Sequence, residues 1–367
     1  MIVAYIYIHT LRKLTAPPRG SAGTIPIAEG CGVVCGLAYI TCLCVLCCWS
    51  PISSSDGLLL KMVSSLFTVL FVTFLGFTDD VLEWPWVCKI LLPVVATLPT
   101  MAAYDGPTDI LCPKFLRPLI WDPTLTVHPA VMKALAVLGV RPVQESISGL
   151  IQVSYLYYAY MCALSVFTSN SINIYAGVNG LEVGQSIVVS VFLLLHNVTE
   201  ISNGSSGSEG HWFSVIMLVP FASCSCALLV YNWYPARVFV GDTYCYFAGV
   251  VFSVSAIHGH YSKTLLLFLV PQIFNFLISL PQLFKVVECP RHRLPRHVKS
   301  TDKMTTSTRS DGVVNFTLVN FVLKAFGDMH EERLTMACLA IQTMTTAIVA
   351  MAVRHGIWRK LFFDEEL

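Results

Sequence analysis

Apolar runs long enough to cross a membrane recur along this chain, separated by short polar breaks. A helix of about 20 mostly apolar residues crosses the hydrocarbon core of a bilayer. Only 12% of the residues are charged, about half of the fraction that is usual in soluble domains. The sequence therefore predicts an all-α integral membrane protein, a polytopic transmembrane helix bundle. The predicted spans cover residues 33–50, 58–77, 88–103, 147–168, 183–199, 212–231, 243–260, 262–283 and 334–353.

The first residues, 1–11, are apolar but too few to cross a bilayer. We interpret them as the end of a truncated first helix, which gives about nine full spans plus that helix. The stretches 104–146 and 284–333 are long enough to hold structure, but neither resembles an independent domain. We therefore predict a single integral membrane domain over residues 1–367.

The alternation of spans predicts which polar breaks share one side of the membrane. Lys and Arg residues concentrate in the last of these breaks and also occur in the first, which indicates the cytosolic side. The sequons at Asn197 and Asn203 then fall on the opposite, lumenal side. A net charge of +1 gives no bulk attraction to nucleic acid. The breaks assigned to the cytosol are 12–32, 78–88, 169–182, 232–242 and 284–333.

The predicted cytosolic breaks collect the residues that phosphoryl transfer needs. The adjacent carboxylates Asp79 and Asp80 repel each other at the end of an apolar run, so a Lys, an Arg or a metal is expected beside them. Carboxylate and amide oxygens are ligands of the kind that Mg²⁺ takes, and Lys and Arg donate to a diphosphate. Glycines at 177, 180 and 241 would let the backbone approach a ligand. The other polar candidates are Lys89, Asn170, Asn173, Asn179, Asp242, Arg291, His292 and Arg293.

Each of these residues also has an ordinary structural interpretation. The acidic pair could cap a helix or face solvent, Asn173 could cap a turn, and Arg291 and Arg293 could follow the positive-inside rule alone. Phe239 is by default a packing residue, and Glu29 a solvated acid. Chance placement of all of the charged and amide groups on one face is improbable, which favours a shared site.

Four strings carry a resemblance to a known family. They are LGFTDDVLEWPWVCKILLP, FTSNSINIYAGVNGLEVGQS, YNWYPARVFVGDTYCYFAG and PQIFNFLISLPQLFKVVECPRHRLPR. In sequence, order and spacing, these strings resemble the motifs of the eukaryotic UDP-N-acetylglucosamine–dolichyl-phosphate N-acetylglucosaminephosphotransferases, of glycosyltransferase family 4. The resemblance implies a ten-span, Mg²⁺-dependent enzyme of the endoplasmic reticulum membrane that faces the cytosol and is inhibited by tunicamycin. Its implied partners are UDP-GlcNAc, dolichyl phosphate, the lipid bilayer and a second copy of the chain.

The resemblance also implies roles for single residues. Asn173 and Asp242 match the Mg²⁺ ligands, and Asp79 and Asp80 match an acidic pair near the metal and the acceptor phosphate. Lys89 resembles a lysine that pairs with phosphate. The implied substrate contacts are Arg291 on the diphosphate, His292 and Arg293 on the N-acetyl sugar, and Gly177, Asn179 and Phe239 around uridine, with Glu29, Asn170 and Glu182 also assigned to substrate binding.

Three alternatives stay open. A polytopic transporter would also bury Asp, Asn and Arg, but inside its spans and with broken helices or inverted repeats. A related transferase could use another UDP-sugar or polyprenol. A catalytically inactive scaffold is disfavoured because the acidic and basic positions are all present. The chain also departs from the family at Glu83, where Asn is common.

Overall fold

A computed structural model describes the chain at residues 15–16, 27–28, 30–49, 55–82, 84–120, 133, 137, 140–142, 150–204, 207–290, 294–309 and 312–357. The described part is mostly helical. Its helices are α1 (Gly32–Cys47), α2 (Asp56–Leu82), α3 (Trp86–Ala102), α4 (Arg117–Ile120), α5 (Tyr155–Ile174), α6 (Leu181–Ser202), α7 (Ser208–Asn232), α8 (Gly241–His258), α9 (Ser262–Phe268), α10 (Val270–Leu283), α11 (Leu318–Phe326) and α12 (Glu331–Arg354).

Short strands accompany the helices. A pair is formed by β1 (Thr15–Ala16) and β2 (Ile27–Ala28). A small antiparallel sheet has the order β3–β5–β4, made of β3 (Asp109–Leu111), β4 (Arg141–Pro142) and β5 (Leu150–Gln152). An antiparallel hairpin joins β6 (Arg296–Val298) to β7 (Lys303–Thr305). The two stretches between spans therefore hold structure, as their length predicts.

Four helices of the described chain are long and apolar enough to cross a membrane, namely α2, α6, α7 and α12. The bent pair α9–α10 makes a fifth if it is counted as one span. The apolar helices α1 and α3 are shorter, at 16 and 17 residues. The prediction of a polytopic helical membrane protein is thus confirmed in its coarse form.

Helix α8 lies at the centre of the bundle. Every residue from Thr243 to His258 is buried, and α8 packs mainly against α2 and α5. Gly249 allows the closest of these contacts, because a Cβ atom at this position would overlap the backbone of Ser169 in α5. On the other flank, a Cβ atom at Gly76 of α2 would lie 2.7 Å from Cα of Thr243. Small residues that let helix backbones approach are typical of membrane bundles.

Two predicted spans differ from the structure. The span predicted at 147–168 begins as a helix only at Tyr155, because Leu150–Gln152 pairs as strand β5 and Ser154 has a positive φ of 44°. The span predicted at 262–283 bends by 73° between α9 and α10. Pro271 lies just after the bend, near the start of α10, where its missing N–H costs no helical hydrogen bond.

Helices α2, α3 and α5–α8 alternate in direction, so one end of the bundle collects the end of α2, the start of α3, the end of α5, the start of α6 and the start of α8. We call this the site end and the opposite one the far end. A second apolar core covers the site end, where residues of α11 and α12 pack on Tyr175, Val178 and Leu181. The β6–β7 hairpin is tied to it by Asp302, whose carboxylate contacts His297 Nε2 at 2.9 Å and His330 Nε2 at 3.4 Å.

The far end carries a separate group of polar residues. Lys61 Nζ of α2 lies 2.8 Å from an oxygen of Asp105, which follows α3. His260 Nε2 lies 3.8 Å from the other oxygen of the same carboxylate. Asn197 is completely buried and hydrogen-bonds Leu193 O and His211 Nδ1. These contacts join α2, α3, α6, α7 and the end of α8.

Candidate active site

Lys89 joins two acidic residues of the site end that lie far apart in the sequence. Its Nζ lies 2.7 Å from Asp79 Oδ2 and 3.4 Å from Asp242 Oδ2. Asp79 lies in the last turn of α2, Lys89 in the first turn of α3 and Asp242 in the first turn of α8. The cation that the acidic pair requires is therefore Lys89, and one side chain connects three helices.

Asp79 is almost completely buried, at 4% exposure. Its Oδ1 accepts a hydrogen bond of 2.9 Å from the backbone N–H of Trp84, and its Oδ2 accepts one of 3.3 Å from the hydroxyl of Tyr246. Together with Lys89, these donors compensate the cost of burying a carboxylate. The side chain of Asp79 is consequently fixed in one orientation, and it holds Lys89 in place.

Asp80 has a different role from its neighbour. Its carboxylate accepts hydrogen bonds from the backbone N–H of Asp242, at 2.6 Å, and of Thr243, at 3.1 Å. The hydroxyl of Thr243 donates to the same carboxylate. These are unpaired N–H groups of the first turn of α8, where a negative charge also favours the helix dipole. Asp80 therefore caps α8 from another helix and fixes the position of Asp242.

Gly241 makes this cap possible. Its φ is +72°, and a Cβ atom at this position would overlap the carboxylate of Asp80. Only glycine adopts such a conformation without strain and leaves this space open. The backbone at 241 thus lies close to the side chain of Asp80.

Asn170 and Asn173 of α5 differ in how available their side chains are to a ligand. Asn170 Nδ2 donates to Val166 O of its own helix at 2.8 Å. Asn173 is half-buried in the last turn of α5, at the same end of the bundle as Asp242. Of these two side chains, Asn173 is therefore the better candidate for a ligand contact.

The loop between α5 and α6 is held by acidic side chains. Glu182 Oε1 accepts from the backbone N–H of Gly177 at 3.2 Å. Asn179 is buried, its N–H donates to Glu331 Oε1 at 2.8 Å, and its carbonyl accepts from Thr335. The structure therefore gives Glu182 and Asn179 contacts within the protein that shape this loop.

Phe239 belongs to the segment that leads into α8. Its backbone N–H donates to Ala28 O, and its carbonyl accepts from Cys31 N, both at 2.9 Å. Its ring is half-buried, so the segment around 239 is joined to the residues that precede α1. The predicted residues Glu29, Arg291, His292 and Arg293 lie outside the described residues.

The oxygen donors of the site end suit a metal ion shared with a substrate. In the described part of the chain, no three or more His, Cys, Asp and Glu side chains are arranged to hold a metal. Mg²⁺ in phosphate-handling sites is usually bound by one or two carboxylates together with substrate phosphates and water. The carboxylate of Asp242, 29% exposed, and the half-buried Asn173 are donors of this kind. They fit Mg²⁺ held jointly with a diphosphate.

Sequence reasoning missed three residues that build this site. Thr243 and Tyr246 hydrogen-bond the acidic pair from α8, and Trp84 supplies a backbone donor. Thr243 and Tyr246 follow Asp242 by one and four residues, in a span predicted from residue 243. This helical spacing could have identified them as neighbours of Asp242. Nothing in the sequence distinguishes Trp84 from an interfacial aromatic residue.

The part of the chain that holds these residues is similar to a known protein family. A model of the glycosyl transferase family 4 matches residues 62–260, a range that contains the acidic pair, Lys89, Asn173 and Asp242. The chain belongs to glycosyl transferase family 4. The match ends before residues 291–293.

Curated relatives of this family cover most of the chain. A UDP-N-acetylglucosamine–dolichyl-phosphate N-acetylglucosaminephosphotransferase of Dictyostelium discoideum is 36% identical over 90% of this chain and 78% of its own length. The enzyme of the same name from Leishmania amazonensis is 37% identical over 92% of this chain and 81% of its own. That from Schizosaccharomyces pombe is 34% identical over 90% and 82%. The resemblance stated from the four sequence strings is therefore confirmed at the level of the family.

Proposed function

We propose that the protein transfers GlcNAc-1-phosphate from UDP-GlcNAc to dolichyl phosphate, which gives GlcNAc-diphosphate-dolichol and UMP. The observation that carries this proposal is the contact of Lys89 with both Asp79 and Asp242 at the site end. The printed names of the curated relatives support the choice of substrates. The reaction would begin the lipid-linked oligosaccharide for N-glycosylation.

The proposed chemistry is a single displacement. An oxygen of the acceptor phosphate forms a bond to the β-phosphorus of UDP-GlcNAc, and the bond from that phosphorus to the bridging oxygen breaks. UMP leaves with the electron pair. A phosphate monoester has a second pKa of about 6, so it is already a competent nucleophile near neutral pH. Asp79 is engaged by Lys89, Trp84 and Tyr246, which favours an orienting role for this carboxylate over a phosphorylated intermediate.

Lys89 supplies positive charge of the kind that phosphoryl transfer requires. Lys89 would pair with phosphate oxygens, while Asp80 keeps the start of α8 in register with α2. Asp242 and Asn173 would hold Mg²⁺, which stabilises charge on a diphosphate when bound. Arg291 remains a proposed contact to the diphosphate, and His292 and Arg293 to the sugar. The proposed contacts to uridine are Gly177, Asn179 and Phe239, and Glu29, Asn170 and Glu182 are proposed to bind substrate without a more specific role.

The membrane arrangement is part of the same proposal. We infer about nine full spans, the site end facing the cytosol, location in the endoplasmic reticulum membrane, and a homodimer. The concentration of basic residues in 284–333 supports this orientation. The broken pair α9–α10 is a feature that a transporter would also have. However, the paired acidic and basic residues lie at helix ends instead of at this bend, which favours the transferase.

The test is transfer of labelled GlcNAc-1-phosphate to dolichyl phosphate by the purified chain in liposomes with Mg²⁺. We expect a labelled diphosphate lipid and released UMP, both abolished by EDTA and by Asp242→Asn. Asp105→Asn is the matched control, because it removes a carboxylate from the far end. Binding of UDP-GlcNAc without transfer to dolichyl phosphate would point to another acceptor. Absence of nucleotide binding would overturn the proposal in favour of a transporter.

A further inference from the structure

A small cavity lies directly beside the contact between Asp79 and Lys89. Its volume is about 10 Å³, close to the space that one water-sized group needs. Its wall combines polar residues with apolar ones from the membrane-spanning helices. It is lined by Leu75, Asp79, Trp84, Cys88, Lys89, Leu92, Pro93 and Tyr246.

Trp84, one of the residues that line this cavity, also carries an unused donor. Its indole Nε1 is buried and has no hydrogen-bond partner among the described residues. Leaving a buried N–H without a partner is unfavourable, so such groups in native proteins are normally satisfied by water or a ligand. The backbone N–H of the same residue is already used by Asp79.

The second donor at the cavity is Lys89. An ammonium group has three N–H donors, and the contacts to Asp79 and Asp242 use two of them. The carboxylate of Asp79 is meanwhile engaged by Trp84 N–H, Lys89 and Tyr246. Two residues that line the cavity, Trp84 and Lys89, therefore carry donors that are not used within the described part of the protein, and a negatively charged oxygen is the acceptor that suits such donors best.

We propose that Trp84 is a substrate-positioning residue whose indole N–H, together with Lys89, binds one oxygen of the acceptor lipid's phosphate. This inference rests on the proposed function, and it adds Trp84 to the site residues that the sequence predicted. Both substrates carry phosphate oxygens, but the apolar residues Leu75, Leu92 and Pro93 in the same wall suit a phosphate that is joined to a hydrocarbon chain.

The kinetic test compares Trp84→Phe with the unmodified chain. This substitution keeps an aromatic ring and the backbone N–H but removes the indole donor. We expect KM for dolichyl phosphate to rise about tenfold or more, as for the loss of a hydrogen bond to a charged group, with KM for UDP-GlcNAc unchanged. Trp212→Phe, at an exposed tryptophan of the far end, is the control and should change neither constant.

Other kinetic results would overturn the assignment. Unchanged constants would mean that the indole meets only water. A rise in KM for UDP-GlcNAc alone would assign the oxygen to the nucleotide. A fall in kcat with both KM values unchanged would indicate a merely structural role.

A second measurement needs no variant and no turnover. In ¹⁵N-indole spectra of the unmodified chain, one of the seven tryptophan signals should shift when citronellyl phosphate is added, and none with citronellol. If no indole signal responds to the phosphate, the proposal is wrong. Failure of transfer with a phosphate-specific shift would count against the proposed reaction while supporting the phosphate site.

Discussion

The two ends of the central helix α8 hold their charges in different ways. At the site end, Asp79 is 4% exposed and Asp80 is bound by two backbone N–H groups of α8. At the far end, Lys61 pairs with Asp105, whose side chain is 60% exposed. Ion pairs that face solvent contribute little to stability, typically 0–1 kcal/mol. The comparison indicates that burial and backbone donors, more than the number of charges, distinguish the candidate active site.

The largest expected difference between the ends concerns the two lysines. We expect Lys89→Met to lower kcat for GlcNAc-1-phosphate transfer by about 10²–10³, the range found when one preorganised donor is removed. Lys61→Met should leave kcat within about twofold, because its partner is largely solvated. Initial rates with saturating substrates measure both.

Misfolding could mimic this result, because Lys89→Met leaves the carboxylate of Asp79 buried without its cation. The double variant Lys89→Met/Asp79→Asn removes that charge as well. It should recover thermal stability relative to the single variant but no activity. Recovery of activity in the double variant would show that Lys89 serves only to neutralise Asp79.

A smaller difference in activity is expected between alanine substitutions at two glycines with positive φ, Gly241 and Gly207. Gly241→Ala forces a Cβ atom into the carboxylate of Asp80, whereas nothing lies within 4 Å of a Cβ atom at Gly207. Both substitutions carry backbone strain of about 1–3 kcal/mol. Only Gly241→Ala should also displace Asp242, with a loss of about 10–100-fold in activity. Equal activities of the two alanine variants would contradict the role of Asp80 as a cap.

The far end offers a test that leaves catalysis untouched. Asn197 is completely buried and hydrogen-bonded, whereas Asn203 is exposed just after α6. If the far end faces the lumen, we expect Asn203→Gln to abolish a glycosidase-sensitive shift in gel mobility, and Asn197 to carry no glycan. A shift that survives Asn203→Gln would contradict this assignment.

The smallest effect concerns the hairpin that covers the site end. A hydrogen bond from His297, with a further contribution from His330, lowers the pKa of Asp302 below its ordinary value. The stabilisation is therefore present above a pH of about 4, the ordinary pKa of an aspartate, and is lost as the pH falls through the lower pKa of the folded state. Asp302→Asn should lower Tm slightly at pH 7, and this difference should shrink as the pH falls below about 4. A pH series of melting curves, with Asp328→Asn as control, measures it.

Much of the bundle follows from hydropathy alone. Apolar runs predicted α1, α2, α3, α6, α7, α8 and α12 within a few residues, since such runs have no other stable position than a membrane or a buried core. The bend at Leu269 and the late start of α5 escaped prediction. Both depend on contacts with segments distant in the chain, such as the pairing of β5 with β3.

The sequence predicted which residues build the site better than it predicted what each of them does. The need for a cation beside Asp79 follows from charge repulsion, and Lys89 meets it. The capping role of Asp80 depends on a helix that starts 161 residues later in the chain, at Gly241, so no local pattern reveals it. The spaces beside Gly177, Gly180 and Gly241 are filled by Leu294, Trp233 and Asp80.

The burial of α8 has a consequence for how the chain is made. This helix carries Asp242 and ends in His258, and it is not among the helices that are apolar enough to cross a membrane by themselves. Insertion by the translocon depends on the hydrophobicity of each segment, so the bilayer alone accepts α8 poorly. Its packing partners α2 and α5 are synthesised before it. We therefore expect α8 to insert by packing against α2 and α5 during biogenesis. Substitutions in the surfaces of α2 and α5 that contact α8 should lower the amount of inserted protein, through failed insertion and degradation, more than they lower kcat.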